Sequence, residues 1–365
     1  MSKRSPAKVV VAMSGGVDSS VAAALLKKQG YDVVGVFMQF WFPAGEVYGE
    51  NRCCSLKSWQ EAQQVARIIG IPVYKVNFGK EFKKAIVDDF LRQYGSGKTP
   101  NPCVACNKFI KFELLLKYAR TVFAADYLAT GHYVSIKDYE LRIKNKIQKL
   151  YRLSRATDIN KDQTYFLYNL KQSQLKHLLF PLGDYNKEQV RGLAKKMKLP
   201  VHAKKDSQEI CFVGRSHYDF LRKYLKLRPG KIIDVETKKV LGEHRGLPLY
   251  TSGQRSGIGL SGGPWYVAGF DRRKNNLLVT RNPDKSELLR AGLVCHQVNW
   301  LGGVPKFPLS CQAQIRYRGR PAACRVEKIG QKYLVKFKVG QQAIMPGQSV
   351  VFYQEDELLG GGIIM

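Results

Sequence analysis

The chain has 365 residues, 44% of them hydrophobic and 24% charged, enough to bury the cores of two or three domains and unlike a disordered or fibrous chain. Its 60 Lys and Arg against 29 Asp and Glu give a formal charge of +31, an excess that points to a polyanionic partner such as nucleic acid. No stretch reaches the about 18 apolar residues of a membrane span. Val9 to Met13 is too short for the apolar core of a secretion signal. A cytoplasmic location is therefore expected, without membrane attachment. In a reducing compartment, eight cysteines in a chain of this length point to thiol or metal chemistry and not to a disulfide scaffold.

In chain order, Lys8 to Met13 is a Val-rich strand pattern, and Ser19 to Gln29 carries Val21, Ala22, Leu25 and Leu26 at helical spacing. Strands are expected at Tyr31 to Gln39, Pro72 to Val76 and Tyr127 to Thr130, and helices at Leu56 to Ile69, Glu81 to Tyr94 and Lys108 to Arg120. This alternation with buried strands predicts an α/β fold, a doubly wound parallel sheet whose ligands sit at the carboxyl ends of the strands. Ser14, Gln39 and Gly131 fall there. Residues 137–155 read as a basic hairpin, followed by amphipathic helices near Gln172 to Phe180 and Lys187 to Met197. Gly, Pro and basic residues rise after Gly214. From about Ser286, short alternating strands at Cys311 to Arg316, Tyr333 to Phe337 and Ser349 to Phe352 predict a small C-terminal β-barrel. The expected domains are 1–214, a central linking and orienting segment at 215–283, and the barrel at 284–365.

Ser14-Gly-Gly-Val-Asp-Ser-Ser20 joins the first strand to the first helix. Two glycines permit a sharp turn and close approach to a ligand, and the helix start offers unpaired N–H groups and a positive dipole end suited to phosphate. Asp18 would repel phosphate unless a cation lies between them, which suggests a Mg²⁺-bound pyrophosphate. An ordinary capped strand–helix turn would not need this whole polar set. Gly95-Ser-Gly-Lys-Thr99 resembles the end of a Walker A loop, but Arg92 stands where that motif needs glycine; a basic, mobile loop is expected instead.

Cys103 and Cys106 stand at C-x-x-C spacing before the helix expected from Lys108, where helix dipole and nearby lysines would stabilise a thiolate. Cys211 lies far along the chain in Asp206-Ser-Gln-Glu-Ile-Cys-Phe212. No second C-x-x-C or His pair completes a four-ligand zinc site. Cys295, Cys311 and Cys324 read as barrel packing, and Cys53 and Cys54 as structural.

The Ser-Gly-Gly-x-Asp-Ser loop resembles the PP-loop of ATP pyrophosphatases, which cleave ATP between the α and β phosphates and adenylate a substrate. Asn101-Pro-x-x-x-Cys-Asn107, Thr130-Gly-His-Tyr133, Lys161-Asp-Gln163, Asp206 to Phe212 and Gly253-Gln-Arg-Ser-Gly-Ile-Gly259 follow it in order. Together, over nearly the whole chain, they resemble the tRNA-specific 2-thiouridylases. The resemblance makes 1–214 a PP-loop catalytic domain and the barrel a tRNA-binding domain. It implies ATP at Ala12, Met13, Ser14, Gly15, Gly16, Val17, Asp18 and Ser19, with adenosine near Met38 and Gly131. It implies Asn101, Pro102 and Cys103 at the target base and Lys161, Asp162, Gln163, Arg316 and Tyr317 on the tRNA. Cys106 would be the nucleophile and Cys211 the persulfide carrier.

In that family sulfur replaces O2 of uridine 34, flipped out of the anticodon loop. Adenylation turns a poor leaving oxygen into AMP. Sulfur then arrives from a Cys211 persulfide, either as sulfide released by Cys106 or by direct attack, and both routes leave a Cys106–Cys211 disulfide that needs a reductant. Cys103 departs from the pattern, since many relatives carry Asp there. Cys103, Cys106 and Cys211 could instead ligate a [4Fe–4S] cluster carrying sulfide; the persulfide is preferred because Cys106 and Cys211 keep the family positions. ATP, Mg²⁺, tRNA, and a cysteine desulfurase or sulfur-carrier protein are the implied cofactors and partners, acting with a monomer. The footprint on tRNA is expected at the 137–155 hairpin and at Gln314 to Arg320, with Tyr317 stacking and Arg316 gripping a phosphate or base edge. Two other classes compete: a PP-loop ligase without sulfur, indifferent to Cys106, and a non-catalytic RNA-binding protein, indifferent to Asp18. A thiol oxidoreductase is weaker, because this C-x-x-C lacks the strand-then-helix setting.

Overall fold

Lys8–Met13 (β1) alternates its side chains between two cores, Val10 and Ala12 on one face and Val9, Val11 and Met13 on the other. A strand apolar on both sides must be covered on both sides, so the helices flank it on each face. Asp32–Gln39 (β2), Val73–Asn77 (β3) and Tyr127–Ala129 (β4) follow; Ser135–Ile143 (β5) and Lys146–Ser154 (β6) form the expected hairpin, and Leu178–Leu179 (β7) ends the series. The sheet order is β3-β2-β1-β4-β7, all parallel. Helices Val17–Lys28 (α1) and Leu56–Ile69 (α2) cover one face. This computed structural model describes residues 5–43, 55–143, 146–206, 210–214, 216–282 and 289–365, without the side chains of 141–148. Cys53, Cys54, the tip of the hairpin, Ser207 to Glu209 and the expected boundary at 284 lie outside the described residues.

Two helices differ from their sequence reading. The one expected from Lys108 begins at Pro102, runs as Pro102–Ala105, continues with π-helical turns over Cys106–Leu115 and ends in Leu116–Val122. Pro102 occupies the first helical position, where its missing N–H costs nothing, and the Asn101 side chain accepts the Val104 N–H at 3.3 Å. Both cysteines of the C-x-x-C are thus inside the helix. The helix expected at Gln172 to Phe180 is a single turn, Gln172–Leu175, because Leu178–Leu179 pairs with β4 at the sheet edge.

A second unit forms from Gly230–Asp234 (β8), Val240–His244 (β9), Tyr266–Asp271 (β10) and Asn276–Thr280 (β11), in the order β10-β11-β8-β9 around Ile232, Trp265, Val267 and Leu277. The third is the expected barrel. Leu289–Trp300 (β12), Leu309–Gln314 (β13), Ala322–Ile329 (β14), Lys332–Gln342 (β15), Ser349–Gln354 (β16) and Glu357–Ile364 (β17) close when β12 pairs with β17. Cys295, Cys311 and Cys324 are buried inside it, and burial pushes the Cys295 thiol up to about 12.

The hairpin extends the barrel. Ser154 and Leu153 of β6 pair with Glu357 and Leu358 of β17, and Arg152 bonds Glu357 at 2.8 Å. The Gly95 to Thr99 loop, expected to be mobile, is held from both later units. Arg272 donates to the Ser96 and Gly97 carbonyls, Thr99 N–H to Pro346 O at 2.9 Å, and Gln348 to Thr99 O at 3.0 Å. Among the described residues, no helix is long and apolar enough to cross a membrane.

Candidate active site

The glycine loop is shaped by contacts that only glycine permits. Gly15 has φ +69°, and a Cβ there would lie 2.2 Å from the Ser58 carbonyl oxygen of α2. Gly131, just beyond β4, would place a Cβ 2.7 Å from the backbone of Asp18 and Ser19, so its bareness lets the strand end touch α1. Gly16 caps α1 without a side-chain bond, so no capping side chain takes up the N–H groups of the first turn, and a helix start of this kind suits an anion. Ser19 Oγ accepts the Ser14 N–H at 3.2 Å and donates to Gly16 O at 3.2 Å, which folds the loop over the helix start.

Charge around the loop comes from distant segments. Lys187 Nζ donates to both Asp18 carboxylate oxygens at 2.8 Å and reaches Asp206 Oδ1 at 2.8 Å. Tyr133 OH donates to Asp18 Oδ1 at 2.7 Å; burial and then the Asp18 charge push its pKa far up, so it stays a donor. Lys204 Nζ donates to Gly15 O at 3.0 Å, to Ser58 Oγ at 3.2 Å and to Glu61. Burial would raise the Asp206 carboxyl, but hydrogen bonds from Lys161 and Lys187 overcome it and the pKa is lowered. These groups surround a cavity of about 210 Å³, with Ser14, Gly16 and Ser19 in its wall. Sequence reasoning missed Lys187 and Lys204, because neither stands in a motif and their partners on the first two helices and the glycine loop are more than a hundred residues away.

Ser14, Met38 and Gly131 lie at the carboxyl ends of β1, β2 and β4, which are neighbours in the sheet. Lys161 and Gln163, expected on the tRNA, line the same glycine-loop cavity: Lys161 Nζ bonds Asp206 at 2.7 Å and Gln163 Oε1 accepts the Tyr133 N–H at 3.0 Å. Asp162 is enclosed. Its carboxylate accepts from Arg155 at 3.0 Å, Thr164 Oγ1 at 2.6 Å and Ala156 N–H at 3.2 Å. It therefore presents no open edge to a tRNA and serves the frame that holds its two neighbours at the cavity. Arg316 is exposed, and Tyr317 is half-buried against Phe166 with ring centroids 4.4 Å apart.

The thiols lie on the other face of the sheet. Cys106 is buried in that core, and Cys211 is half-buried against the same cluster beside Phe212, whose ring meets Phe82, Phe90 and Phe220. Cys103 is exposed. A second cavity of about 690 Å³ has Asn101 and Pro102 in its wall, with Lys84, Arg92 and Lys108 and, across from them, His296 and Ser349 of the barrel. The target-base expectation splits here: Asn101 and Pro102 face this cavity, whereas Cys103 lines neither.

Among the described residues, no group of three His, Cys, Asp or Glu is placed to hold a metal. The iron–sulfur expectation for Cys103, Cys106 and Cys211 thus finds no ligand cluster, since Cys103 turns to solvent where Cys106 turns into the core. The glycine-loop cavity does fit the polyphosphate of ATP, through loop N–H groups, hydroxyls and cations. Lys187 supplies the positive charge beside Asp18 that the sequence argument assigned to Mg²⁺ alone.

A parallel sheet with a glycine loop after its first strand and a cation-lined cavity over a helix start defines an α/β domain of the PP-loop kind. Three family models match the chain: a tRNA methyl transferase HUP domain over residues 7–215, a tRNA methyl transferase PRC-barrel domain over 218–281 and an aminomethyltransferase β-barrel domain over 290–364. Among curated proteins, the tRNA-specific 2-thiouridylase MnmA of Carboxydothermus hydrogenoformans is 48% identical, covering 98% of this chain and 97% of its own. The proteins of that name from Clostridioides difficile (45% identical, 98% of both chains) and Streptococcus sanguinis (44%, 100% of this chain and 96% of that one) match as fully. The chain belongs to the tRNA-specific 2-thiouridylase family.

Proposed function

We propose that the protein is an ATP-dependent tRNA uridine 2-sulfurtransferase acting on the wobble uridine 34. The observation that carries the reading is full-length kinship at 48% identity in a chain whose Cys106 and Cys211 pack on one core beneath the glycine-loop sheet. The methyl transferase wording of the family models fits less well, because methyl transfer needs neither a pyrophosphate-holding loop nor two thiols.

In the first step, the C2 oxygen of the base attacks the α phosphate of ATP, forming an adenylated base and releasing pyrophosphate. The loop N–H groups, Ser14, Ser19 and the surrounding lysines hold the polyphosphate against the charge that develops on it; Mg²⁺ enters as part of the MgATP substrate. In the second step, sulfur arrives as a Cys211 persulfide charged by a cysteine desulfurase or sulfur carrier. Either the Cys106 thiolate attacks the inner sulfur and hydrosulfide displaces AMP, or the terminal sulfur attacks C2 first and Cys106 then breaks the S–S bond. Both leave 2-thiouridine, AMP and a Cys106–Cys211 disulfide, which a two-electron dithiol reductant reopens. We place this chemistry in the cytoplasm, in a monomer.

The test is mass spectrometry of nucleosides from tRNA incubated with enzyme, MgATP, cysteine and a desulfurase. 2-Thiouridine that requires ATP, Cys106 and Cys211 is expected, with Cys211→Ser still releasing pyrophosphate. A Cys106→Ser variant with full 2-thiouridine would remove Cys106 from the sulfur transfer, and wild type that makes no 2-thiouridine but adenylates another substrate would return the reading to a PP-loop ligase that uses no sulfur.

A further inference from the structure

We propose that Lys187 is a catalytic residue of the adenylation step: its ammonium leaves carboxylate partners for the pyrophosphate of ATP and neutralises the charge that grows on it as the bond to the α phosphate breaks. The inference rests on the proposed adenylating function and assigns a contact that no sequence motif marks.

Four observations support it. First, the side chain is directed inward: Lys187 opens the helix Lys187–Lys196, which Asn186 caps, yet its side chain is only 11% exposed. Second, its ammonium is bonded to Asp18 in the first turn of α1, within one side chain of a helix start that no capping side chain occupies and that suits an anion. Lys204 spends its three protons on Gly15 O, Ser58 and Glu61, which pins the loop, and Lys161 reaches Asp206. Third, the cavity wall carries five cationic side chains, Lys161, Lys187, Lys204, Lys205 and Arg318, against two carboxylates, Asp18 and Asp206. That surplus suits a multiply charged anion.

Fourth, stability does not explain the arrangement. A largely buried ion pair pays a desolvation penalty that cancels most of its Coulomb gain, so a fold gains little by keeping Lys187 between two carboxylates. A cation aimed where negative charge accumulates gains strength in the transition state, and such an interaction raises kcat instead of only lowering KM. Removing a preorganised group of this kind costs about 10²–10³ in kcat.

The experiment compares wild type with Lys187→Met, Lys187→Gln and Lys187→Arg in three measurements on the full chain. These are tRNA-dependent pyrophosphate release, calorimetric binding of magnesium pyrophosphate without tRNA, and thermal unfolding. Expected are a loss of about 10²-fold or more in kcat for the Met and Gln variants, pyrophosphate binding weakened at least about tenfold, an unchanged KM for tRNA, and partial rescue by Arg. Wild-type kcat and pyrophosphate affinity in a folded Gln variant would overturn the proposal. So would a loss of activity that tracks a loss of stability while pyrophosphate affinity stays at the wild-type value. If wild type released no pyrophosphate with tRNA but bound it in a Lys187-dependent way, the tRNA reading would fail and the role of Lys187 would stand for another adenylation.

Discussion

Asp162 offers a direct test of frame against contact. Replacing it with Ala removes the acceptor for Arg155, Thr164 and the Ala156 N–H, with Asp162 itself 6% exposed and the Arg155 side chain 11%. Burial outweighs these bonds and raises the Asp162 pKa, so the ionised carboxylate is held at some cost and the pair contributes little net stability. Taking away one member is different, because the guanidinium stays enclosed; breaking a buried pair costs about 3–5 kcal/mol. Arg155 keeps Gln314 Oε1 at 3.2 Å and the Tyr353 ring at 3.9 Å, and Thr164 keeps the Tyr353 hydroxyl at 3.0 Å. The expected loss is therefore near the lower end, about 3 kcal/mol. Urea unfolding followed by tryptophan fluorescence would read it, since Trp300 stacks on Phe352 in the barrel that Arg155 braces. The double variant Arg155→Met, Asp162→Ala should lose less than the sum of the single changes, because no unpaired charge remains. An Asp162→Ala protein with the wild-type urea midpoint and weakened tRNA binding would refute this reasoning and return the carboxylate to the tRNA.

Gly15→Ala combines a left-handed φ with a Cβ 2.2 Å from Ser58 O. The strain of about 1–2 kcal/mol and the backbone clash should displace the loop, lowering kcat/KM for ATP at least about tenfold while tRNA affinity, measured by filter binding, holds. Burial holds His132 well below its ordinary 6.5, with Lys111 adding to the effect, and burial also lowers His217. The unfolded chain then takes up protons first as pH falls, so this stability is complete above about pH 6.5 and declines below it, by up to about 1.4 kcal/mol per unit for each group. Urea midpoints at about pH 7.5 and 5.5 should show the decline, and His217→Phe, among Phe90 and Tyr94, should make it shallower. Arg316 is exposed. Arg316→Ala should leave stability unchanged and reduce the log–log salt slope of tRNA binding by about 0.7–0.9; an unchanged slope would remove it from the footprint.

The parallel sheet and the glycine loop were legible because their signals are local. Val9 to Met13 is apolar on both faces of a strand, and Gly15-Gly16 follows at once. The barrel was legible for the same reason, from alternation such as Cys311, Ala313 and then Cys324, Val326. The start of the thiol helix was also written locally: Asn101-Pro102 is a cap followed by a first-turn proline. C-x-x-C spacing hides that start when it is taken as a loop motif preceding a helix.

What was not legible is pairing across the chain. Lys161-Asp162-Gln163 was read as one recognition unit because the three are adjacent, but adjacency does not decide direction. Asp162 turns inward to Arg155, while Lys161 and Gln163 turn to a cavity completed by Lys187 and Asp206. The hairpin raises the same problem at larger scale. Its basic alternation predicted two strands, and only the closing register of Ser154 with Glu357 shows that they extend the barrel. That junction also ties the barrel to the glycine loop. The chain between the hairpin and β7 carries Arg155, bonded to Gln314 of the barrel, and Lys161, bonded to Asp206 at the glycine-loop cavity. One short segment thus bonds the barrel at one end and forms part of the wall of the glycine-loop cavity at the other.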